Sequence, residues 1–488
     1  MQSFAQPPEP YDVVVVGGGI VGAGTAALAA QLGLRVALLE RDDFASATSS
    51  ASSKLVHGGL RYLRMGDVRL IREALREAQL LRDVVAPHLV RAQPFLLPLY
   101  RGGPYGRLSI RAALTTYGAL AGSRRQTIVG AARALELAPL VRRDGLRAAG
   151  VYADAQTNDA RLTLANVRAA ADAGADVANG VEVIGIERGA VHTSTGVELR
   201  TRHVVNATGA SVDTVRRLED PRAGASVALS KGAHLVLDLP EGWGDVALTV
   251  PVDRTRVSFA IPWEGTLLLG TTDTPAETAE VTDADEAQIL DEASRALPAE
   301  LLARDAIRAR FAGLRVLPLT SQSSAEARRE VTLTRGPLGM VSVAGGKLTT
   351  YRAIARAVLR ELGYPVPAAI LPLPGAADPA RVARELDVEP TLGLHLARTY
   401  GSLAHEVLAT SRDLTPLAPG APDVAAQVVY AREREWARAA DDVVRRRTTL
   451  ALRGCATPAV RARVEELLSG RAASGTAPDL AAPRAGSA

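Results

Sequence analysis

The chain of 488 residues contains a single cysteine, Cys455. One cysteine excludes a disulfide within the chain and a metal cluster held by cysteine thiolates, and it suits a reducing compartment. The sequence has no run of eighteen or more uncharged apolar residues, so no membrane-spanning helix is predicted. The first ten residues carry neither an apolar core nor a basic region, which predicts no signal or transit peptide. These absences favour a cytoplasmic protein without a bound metal.

Aromatic residues are also scarce, at 4% of the chain, and the net charge is only +4. A protein that binds nucleic acid usually combines a basic stripe with aromatic side chains that stack on bases. The sequence has no such stripe, so nucleic acid is not expected as a partner. A composition of 47% hydrophobic and 23% charged residues is typical of a soluble globular protein, and the length predicts two or three domains.

A glycine-rich stretch follows the first predicted strand, Val13–Val16. Three glycines have G-x-G-x-x-G spacing: Gly17, Gly19 and Gly22. A helix of small residues, a second strand at Val36–Leu39 and an acid at Glu40 come next. Glycines let the backbone approach a pyrophosphate, the helix N-terminus attracts its charge, and the acid accepts hydrogen bonds from ribose hydroxyls. Because a carboxylate repels a 2′-phosphate, the pattern predicts NAD or FAD.

Two later stretches favour FAD. Residues 201–209 predict a strand that ends in a small-residue turn and returns the chain to the cofactor. Near the other end, "GMVSVAGGKLTTYRAIARAV" predicts a strand, a turn at Gly345-Gly346 and a helix from about Thr349. That second helix N-terminus suits the electron-rich side of a reduced flavin. A dinucleotide domain built from such distant segments suits a bulky cofactor that lies across the sheet.

A series of motifs then indicates a family. In chain order they read "GGGIVGAG", "TSSASSKLVHGGLRYL", "NDARLTLANV", "VVNATG", "KGAHLVLD", "GTTDT", "GLRVLP" and "AGGKLTTYR". From about residue 11 to about residue 450 the chain resembles FAD-dependent glycerol-3-phosphate dehydrogenase of the bacterial aerobic, membrane-associated type. The resemblance implies an α/β fold: a Rossmann-like FAD-binding domain interleaved with an antiparallel-sheet substrate domain, plus a C-terminal α-helical domain. It also implies oxidation of sn-glycerol 3-phosphate to dihydroxyacetone phosphate, with electrons passed to a quinone.

The expected domain boundaries follow these motifs. They are 11–95, 150–215 and 335–365 for the FAD-binding domain, 96–149 and 216–334 for the substrate domain, 366–470 for the helical domain and 471–488 for a disordered tail. Within the helical domain, residues 423–452 have a helical period throughout. The run Arg445–Arg447 follows an acidic pair and predicts a solvated helix end.

By resemblance, a polar segment after the second strand and a turn late in the chain contact FAD. The expected contacts in the polar segment are Ser50, Ser52, Ser53, Lys54 and Leu55. The other expected contacts are the backbone of Val183 against the adenine, Gly209, Gly346, and the N–H groups of Leu348 and Thr349 at the isoalloxazine.

Oxidation of a phosphorylated secondary alcohol requires a base for the hydroxyl proton and cations for a dianionic phosphate. Guanidinium forks suit that phosphate better than ammonium groups do. Arg315 is expected in a Gly-containing turn after an Arg-rich helix, and Arg329 at the end of a polar loop. The resemblance places both over the substrate, where we expect them to clamp its phosphate and hydroxyl groups.

His57 is the first candidate for the proton acceptor, because imidazole titrates near the working pH. Lys347 lies at the mouth of a helix, where a lysine is unfavourable unless an anion is nearby. We therefore assign Lys347 to the developing alkoxide or the reduced flavin. The resemblance gives Arg61 a place beside His57 on the catalytic side, and adds substrate-binding positions at Tyr62, His234 and Thr350.

Residues 101–125 combine an apolar stretch with arginines at both ends. This composition fits either a helix that lies in a membrane interface or an ordinary core helix. A quinone acceptor favours the first, with the protein attached peripherally to the cytoplasmic face of the inner membrane. A homodimer is also expected.

Two other reactions stay open at this point. An oxidase of the same substrate would reduce oxygen, but such relatives carry a long insertion where this chain has 29 residues between Arg315 and Ala344. A different flavoenzyme of the amino-acid oxidase type would act on an amino or hydroxy acid.

Overall fold

The structure, a computed structural model, describes residues 9–59, 67–122, 126–254, 256–319 and 331–470. Three predicted site residues, Arg61, Tyr62 and Arg329, lie outside the described residues, as does the predicted tail 471–488.

Two sheets account for the strands of the described residues. The strands are β1 (Tyr11–Val16), β2 (Val36–Leu39), β3 (Leu55–Val56), β4 (Val90–Tyr100), β5 (Thr127–Gly130), β6 (Leu146–Thr157), β7 (Asp176–Ala178), β8 (Val183–Glu187), β9 (Ala190–Thr193), β10 (Glu198–Asn206), β11 (Val227–Asp238), β12 (Ala247–Pro251), β13 (Val257–Trp263), β14 (Thr266–Gly270), β15 (Thr274–Pro275), β16 (Ile307–Pro318), β17 (Thr332–Arg335) and β18 (Val341–Ala344). The α-helices are α1 (Ile20–Gln31), α2 (Val68–Leu80), α3 (Arg107–Leu120), α4 (Ala131–Leu137), α5 (Asp159–Asp172), α6 (Val212–Glu219), α7 (Asp283–Ser294), α8 (Tyr351–Glu361), α9 (Pro379–Glu385), α10 (Pro390–Tyr400), α11 (Ala404–Thr410), α12 (Ala425–Arg434), α13 (Ala440–Asp442) and α14 (Pro458–Ser469).

The first sheet has the order β17-β18-β10-β1-β2-β7, and the strands from β18 to β7 run parallel. Val13–Val16 of β1 are buried without alternation, as in strands whose two faces are both covered. Helix α1 packs against this sheet and against helices α5 and α8, because its small residues allow close approach. A Cβ at Gly24 would lie only 2.5 Å from Cδ2 of Tyr351 on α8. The predicted Rossmann-like domain is confirmed.

The second sheet has the order β15-β11-β14-β13-β12-β4-β6-β3, with β16 added to β11 and β5 to β6. All of these pairs are antiparallel except β12 with β4. Strands β4 and β6 pair over almost their whole length, so this sheet extends across the boundaries predicted at residues 95 and 150. Its apolar face packs on α7 and α4.

The structure corrects the predicted setting of Arg315. The residue lies within the strand β16 and pairs with Ser230 of β11, where the sequence predicted a turn after an Arg-rich helix. Residues 307–318 pair with almost the whole length of β11, from Val227 opposite Pro318 to Leu237 opposite Ile307, which fixes them as a strand.

The C-terminal helices differ from the prediction in two respects. The helical period over residues 423–452 is broken: α12 ends at Arg434, and Trp436 then adopts a left-handed conformation with φ 56°. The expected solvated helix end is also wrong, because Arg446 and Arg447 are only 7% and 0% exposed. Both guanidinium groups pair with Asp43, which belongs to the first domain.

Helix α3 belongs to the core, which decides between the two alternatives for its apolar face. Ile110, Leu114 and Tyr117 are buried against strands of the second sheet. The outer face carries Leu108, which is 82% exposed, between Arg107 and Arg111. Within the described ranges, no helix has the length and apolar character needed to cross a membrane.

Candidate active site

A cavity of about 790 Å³ opens where the ends of both sheets meet. Two groups of residues along its wall differ in chemical character. The nucleotide region comprises Gly17, Gly19, Glu40, Asp42 and Val181–Ile184, and the cationic region comprises Ser53, His57, Gly232, His234, Arg315 and Lys347.

The glycine turn at the head of α1 leaves room for an anion. Gly17 has φ +106°, and a Cβ at Gly22 would lie 1.9 Å from the carbonyl oxygen of Gly17. The N-cap residue Gly19 brings no side chain over the helix end, and Ser49 accepts the Ile20 N–H at 2.9 Å. The end of α1 therefore faces the cavity, as pyrophosphate binding at a helix N-terminus requires.

Glu40 stands at the end of β2 in the nucleotide region. Its carboxylate accepts the Gly18 N–H at 2.7 Å and the Asp42 N–H at 2.9 Å. Burial raises the pKa of this carboxyl, while the two backbone donors act in the opposite direction. A carboxylate fixed in this way can accept hydrogen bonds from ribose hydroxyls, so the donors and acceptors present fit an adenine dinucleotide.

The turn after β18 supplies the second helix N-terminus. Gly346 has φ +103°, and a Cβ there would lie 2.8 Å from Ile354. Lys347, Leu348 and Thr349 follow it along the cavity wall, immediately before α8. The hydroxyl of Thr349 accepts the His57 N–H at 3.2 Å, so this turn also positions the segment that carries His57. This turn therefore presents backbone groups to the cavity at a helix N-terminus, which suits an electron-rich ring.

Arg315 reaches the cationic region across Gly232. Its Nη2 donates to the Thr271 hydroxyl at 2.9 Å, and its Nη1 lies 3.2 Å from Oδ1 of Asp273. A Cβ at Gly232 would lie 2.4 Å from Nη2 of Arg315. The glycine in the middle of β11 therefore creates the space that the guanidinium group occupies.

His234 lies next to Arg315 and is almost fully buried. Its Nε2 is 2.9 Å from the Ser53 hydroxyl, and its ring stacks on Phe311 with centroids 4.9 Å apart. Burial, together with the charges of Arg315 and Lys54, lowers the pKa of His234 to about 3. The imidazole is therefore neutral at physiological pH and has a nitrogen lone pair available.

Lys54, predicted to contact the cofactor, lies behind the cavity wall. Its ammonium donates to Asp159 at 2.6 Å and to the carbonyl of Ser50 at 2.7 Å. Asp159 also accepts the Ser52 hydroxyl at 2.7 Å. The buried pair of Lys54 and Asp159 holds the polar segment from the side away from the cavity. Ser52 and Ser53 line the cavity, whereas Ser50 and Lys54 do not.

A partly buried carboxyl, that of Asp154, lies behind the His57 segment. The hydroxyl of Tyr117 donates to Asp154 at 2.5 Å, and the Gly58 N–H donates to the same oxygen at 3.3 Å. Burial raises the pKa of Asp154 to about 7, although both donors act against this shift. Asp154 therefore lies within hydrogen-bond distance of the backbone next to His57.

Most of the predicted site residues that the structure describes do line the cavity. They are Gly17, Gly19, Glu40, Ser52, Ser53, Leu55, His57, Val183, Gly209, His234, Arg315, Gly346, Lys347, Leu348 and Thr349. Gly22, Ser50, Lys54 and Thr350 do not line it. Sequence reasoning missed Ser49, Asp159, Gly232 and Asp273. Gly232 lies inside β11, and a glycine inside a strand often marks a close approach of another group, which is a usable signal once the strand is known.

A glycine turn, an acid at the end of β2 and a second helix N-terminus around one large cavity are features of an oxidoreductase that binds a dinucleotide. Residues 12–352 match the family described as FAD dependent oxidoreductase, and residues 367–472 match the C-terminal domain of alpha-glycerophosphate oxidase. The chain belongs to the FAD dependent oxidoreductase family, and FAD is its cofactor.

Individual relatives cover most of the chain. It is 34% identical over 495 residues to a glycerol-3-phosphate dehydrogenase of Synechocystis, covering 91% of this chain and 89% of the relative. It is 35% identical over 367 residues to an aerobic glycerol-3-phosphate dehydrogenase of Staphylococcus haemolyticus, covering 71% of this chain and 66% of the relative, just under two thirds. A crystal structure of the Bacillus halodurans glycerol-3-phosphate dehydrogenase complexed with FAD superposes with a TM-score of 0.72 at 28% identity, covering 95% of this chain and 91% of that one.

Proposed function

We propose that the chain oxidises sn-glycerol 3-phosphate to dihydroxyacetone phosphate and passes the electrons to a quinone. The observation that carries this proposal is the cationic region, where Arg315 and Lys347 face a cavity that also accommodates FAD. Relatives named glycerol-3-phosphate dehydrogenase that align with most of the chain support the choice of substrate.

The phosphate of the substrate requires donors that are fixed before it arrives. Arg315 is held by Thr271 and by the carbonyl of Lys231, to which Nη1 donates at 3.2 Å. A planar guanidinium group presents several N–H donors at once, which suits bidentate binding of a phosphate. We assign Arg315 to the phosphate and keep Arg329 as a second predicted clamp.

The hydroxyl proton of the substrate needs an acceptor in the same region. His57 stays our first candidate, and His234 is the second, because its lowered pKa keeps the ring neutral. A dianionic substrate next to either ring would raise its proton affinity. When bound, FAD supplies the hydride acceptor, and the positive charge of Lys347 stabilises the alkoxide that forms as the proton leaves.

Substitution separates the two histidines. In His57→Gln, we expect kcat to fall and the acidic limb of its pH profile to disappear. His234→Gln should retain that limb, and the opposite pattern would transfer the role to His234. Flavin content serves as the control for folding.

The acceptor and the cellular setting are proposals of the same kind. A quinone acceptor requires a membrane contact, and Leu108 between Arg107 and Arg111 offers an exposed apolar side chain with basic neighbours. We therefore propose peripheral attachment at the cytoplasmic face of the inner membrane. The homodimer stays a prediction, which light scattering after size-exclusion chromatography would check.

The deciding assay measures electron transfer from sn-glycerol 3-phosphate to an artificial dye. Activity with this substrate, and at least tenfold lower kcat/KM with glycerol, is expected because glycerol lacks the phosphate. Equal activity with glycerol would contradict the assignment. Stoichiometric hydrogen peroxide under air would identify an oxidase, and activity with amino or hydroxy acids instead would identify another flavoenzyme class.

A further inference from the structure

The C-terminal domain contacts the FAD-binding domain at a segment that also forms part of the cavity wall. This segment, Glu40–Ala45, contributes Glu40, Asp42 and Ala45 to the lining. We propose that Arg447, supported by Arg446, is a positioning residue for FAD, because it fixes the conformation of Glu40–Ala45 and so retains the adenosine half of the cofactor.

The contact centres on a buried carboxylate within the segment. Asp43 is 5% exposed, and its Oδ1 accepts Nη2 of Arg447 at 2.8 Å. Its Oδ2 accepts Nη1 of Arg447 and Nε of Arg446. Although burial alone would raise it, the two guanidinium groups hold the pKa of Asp43 below its usual value. The Asp43 carboxylate is therefore charged at physiological pH, as are the two guanidinium groups that it contacts.

Arg447 in turn is fixed from its own domain. Its side chain is fully buried, and Nη2 also donates to the carbonyl of Glu435 at 2.6 Å. Asn179 bridges the two domains a second time, donating to Asp43 at 3.0 Å and to the carbonyl of Trp436 at 2.9 Å. Removing the guanidinium group would leave a buried carboxylate with fewer partners, which is costly.

The segment transmits this contact to the nucleotide region. Phe44 packs edge-on against Trp436 with centroids 5.7 Å apart, and a Cβ at Gly18 would lie 2.5 Å from Phe44. Phe44 therefore supports the glycine turn from below. On the other side, the Val181 N–H donates to the carbonyl of Glu40 at 2.9 Å. The glycine turn, Glu40 and the wall around Val181 are therefore joined by direct contacts to the segment that carries Asp43.

The C-terminal domain reaches the nucleotide region through its contacts with Asp43, Phe44 and Asn179. Of the described residues, none beyond Thr349 lines the cavity. A change at Arg447 should therefore alter retention of the cofactor and leave the cationic region intact. The expected signature is a faster release of FAD. The protein that still holds its flavin should have an unchanged KM for sn-glycerol 3-phosphate.

The chain offers a matched control for this change. Arg161 on α5 donates to Glu435 at 2.7 and 2.6 Å, and the two side chains are 7% and 8% exposed. This pair joins the same two domains and is buried to a similar degree. This pair has no hydrogen bond to Glu40–Ala45. Arg161→Met therefore removes a buried interdomain ion pair while the hydrogen bonds between Arg447 and Asp43 stay in place.

The experiment dilutes the holoenzyme and follows the fluorescence of released FAD. We expect Arg447→Met to release FAD roughly tenfold faster than the unsubstituted enzyme, which corresponds to about 1.4 kcal/mol. Arg447→Lys keeps the charge but loses the planar guanidinium group, so its rate of FAD release should lie between those of the unsubstituted enzyme and Arg447→Met. It serves as the test if Arg447→Met fails to fold. Arg161→Met should release FAD at the unsubstituted rate. Unchanged release in the Arg447 variants, or equal acceleration in Arg161→Met, would overturn the proposal.

Discussion

The nucleotide region and the cationic region differ in how the chain builds them. The nucleotide region uses backbone groups from a short contiguous stretch, Gly17–Asp42, joined by one wall segment around Val183. The cationic region collects single side chains from distant strands and turns, such as His57, His234 and Arg315. A backbone site tolerates most side chains around it but no extra Cβ inside it, whereas a side-chain site depends on each group separately.

The largest effect is expected from Gly22→Ala in the nucleotide region. Its Cβ would lie 1.9 Å from the carbonyl oxygen of Gly17, and because this clash is with backbone, no flexible side chain can yield. We expect the purified protein to lose its FAD, which the flavin absorbance per chain would report. Gly224→Ala is the control, since its Cβ meets nothing within 4 Å. Normal flavin content in Gly22→Ala would mean that the turn is not the pyrophosphate site.

Gly232→Ala should affect the cationic region alone. The added Cβ would lie 2.4 Å from Nη2 of Arg315 and displace the guanidinium group. A displacement of about 1 Å can reduce catalysis by roughly 100-fold, and we expect a loss of that order in kcat/KM. Flavin content should be normal. Loss of FAD in this variant would show that the cationic region and the nucleotide region do not act independently.

Arg315→Lys should have a smaller effect of the same kind. The lysine keeps the charge but cannot bond Thr271 and a phosphate through one planar fork. We expect kcat/KM for sn-glycerol 3-phosphate to fall about tenfold, mostly through KM. The value for glycerol, which has no phosphate, should change little. An equal loss for both substrates would show that Arg315 does not hold the phosphate.

The last prediction concerns how the free energy of unfolding depends on pH through Asp154, behind the His57 segment. The pKa of Asp154 is about 7 in the fold against 3.8 for an ordinary aspartate, so between these values the folded chain binds a proton that the unfolded chain has lost. The free energy of unfolding should therefore fall as pH rises from about 4 to about 7. Asp154→Asn keeps an acceptor for Tyr117 and should flatten this fall in urea titrations. An unchanged pH dependence would mean that Asp154 is ionised in the folded protein.

The same contrast explains what could be read from the sequence. The strand, glycine turn, helix and acid of the nucleotide region lie within 40 residues and follow a local pattern, so Val36–Leu39 was predicted with its observed bounds. The FAD fold and the antiparallel sheet also followed from motifs in order. Arg315 was expected in a turn, because its strand is defined by pairing with β11, which no local pattern reveals.

Pairing with residues distant in the chain also determines which charged side chains are buried. Lys54 and Arg447 both looked like exposed or ligand-binding cations, yet each is buried against an acid far away in the chain, Asp159 and Asp43. A single sequence gives no sign of which acid a given arginine or lysine will meet. Arg61, Tyr62 and Arg329 stay predictions that rest on the family resemblance.

The most direct test of the account is an anaerobic titration of the purified holoenzyme with sn-glycerol 3-phosphate, followed by the visible absorbance of oxidised flavin. The account predicts loss of that absorbance with this substrate, and a clearly higher half-saturating concentration for Arg315→Ala at equal flavin content. Flavin that stays oxidised with sn-glycerol 3-phosphate, or Arg315→Ala that titrates like the unsubstituted enzyme, would contradict it.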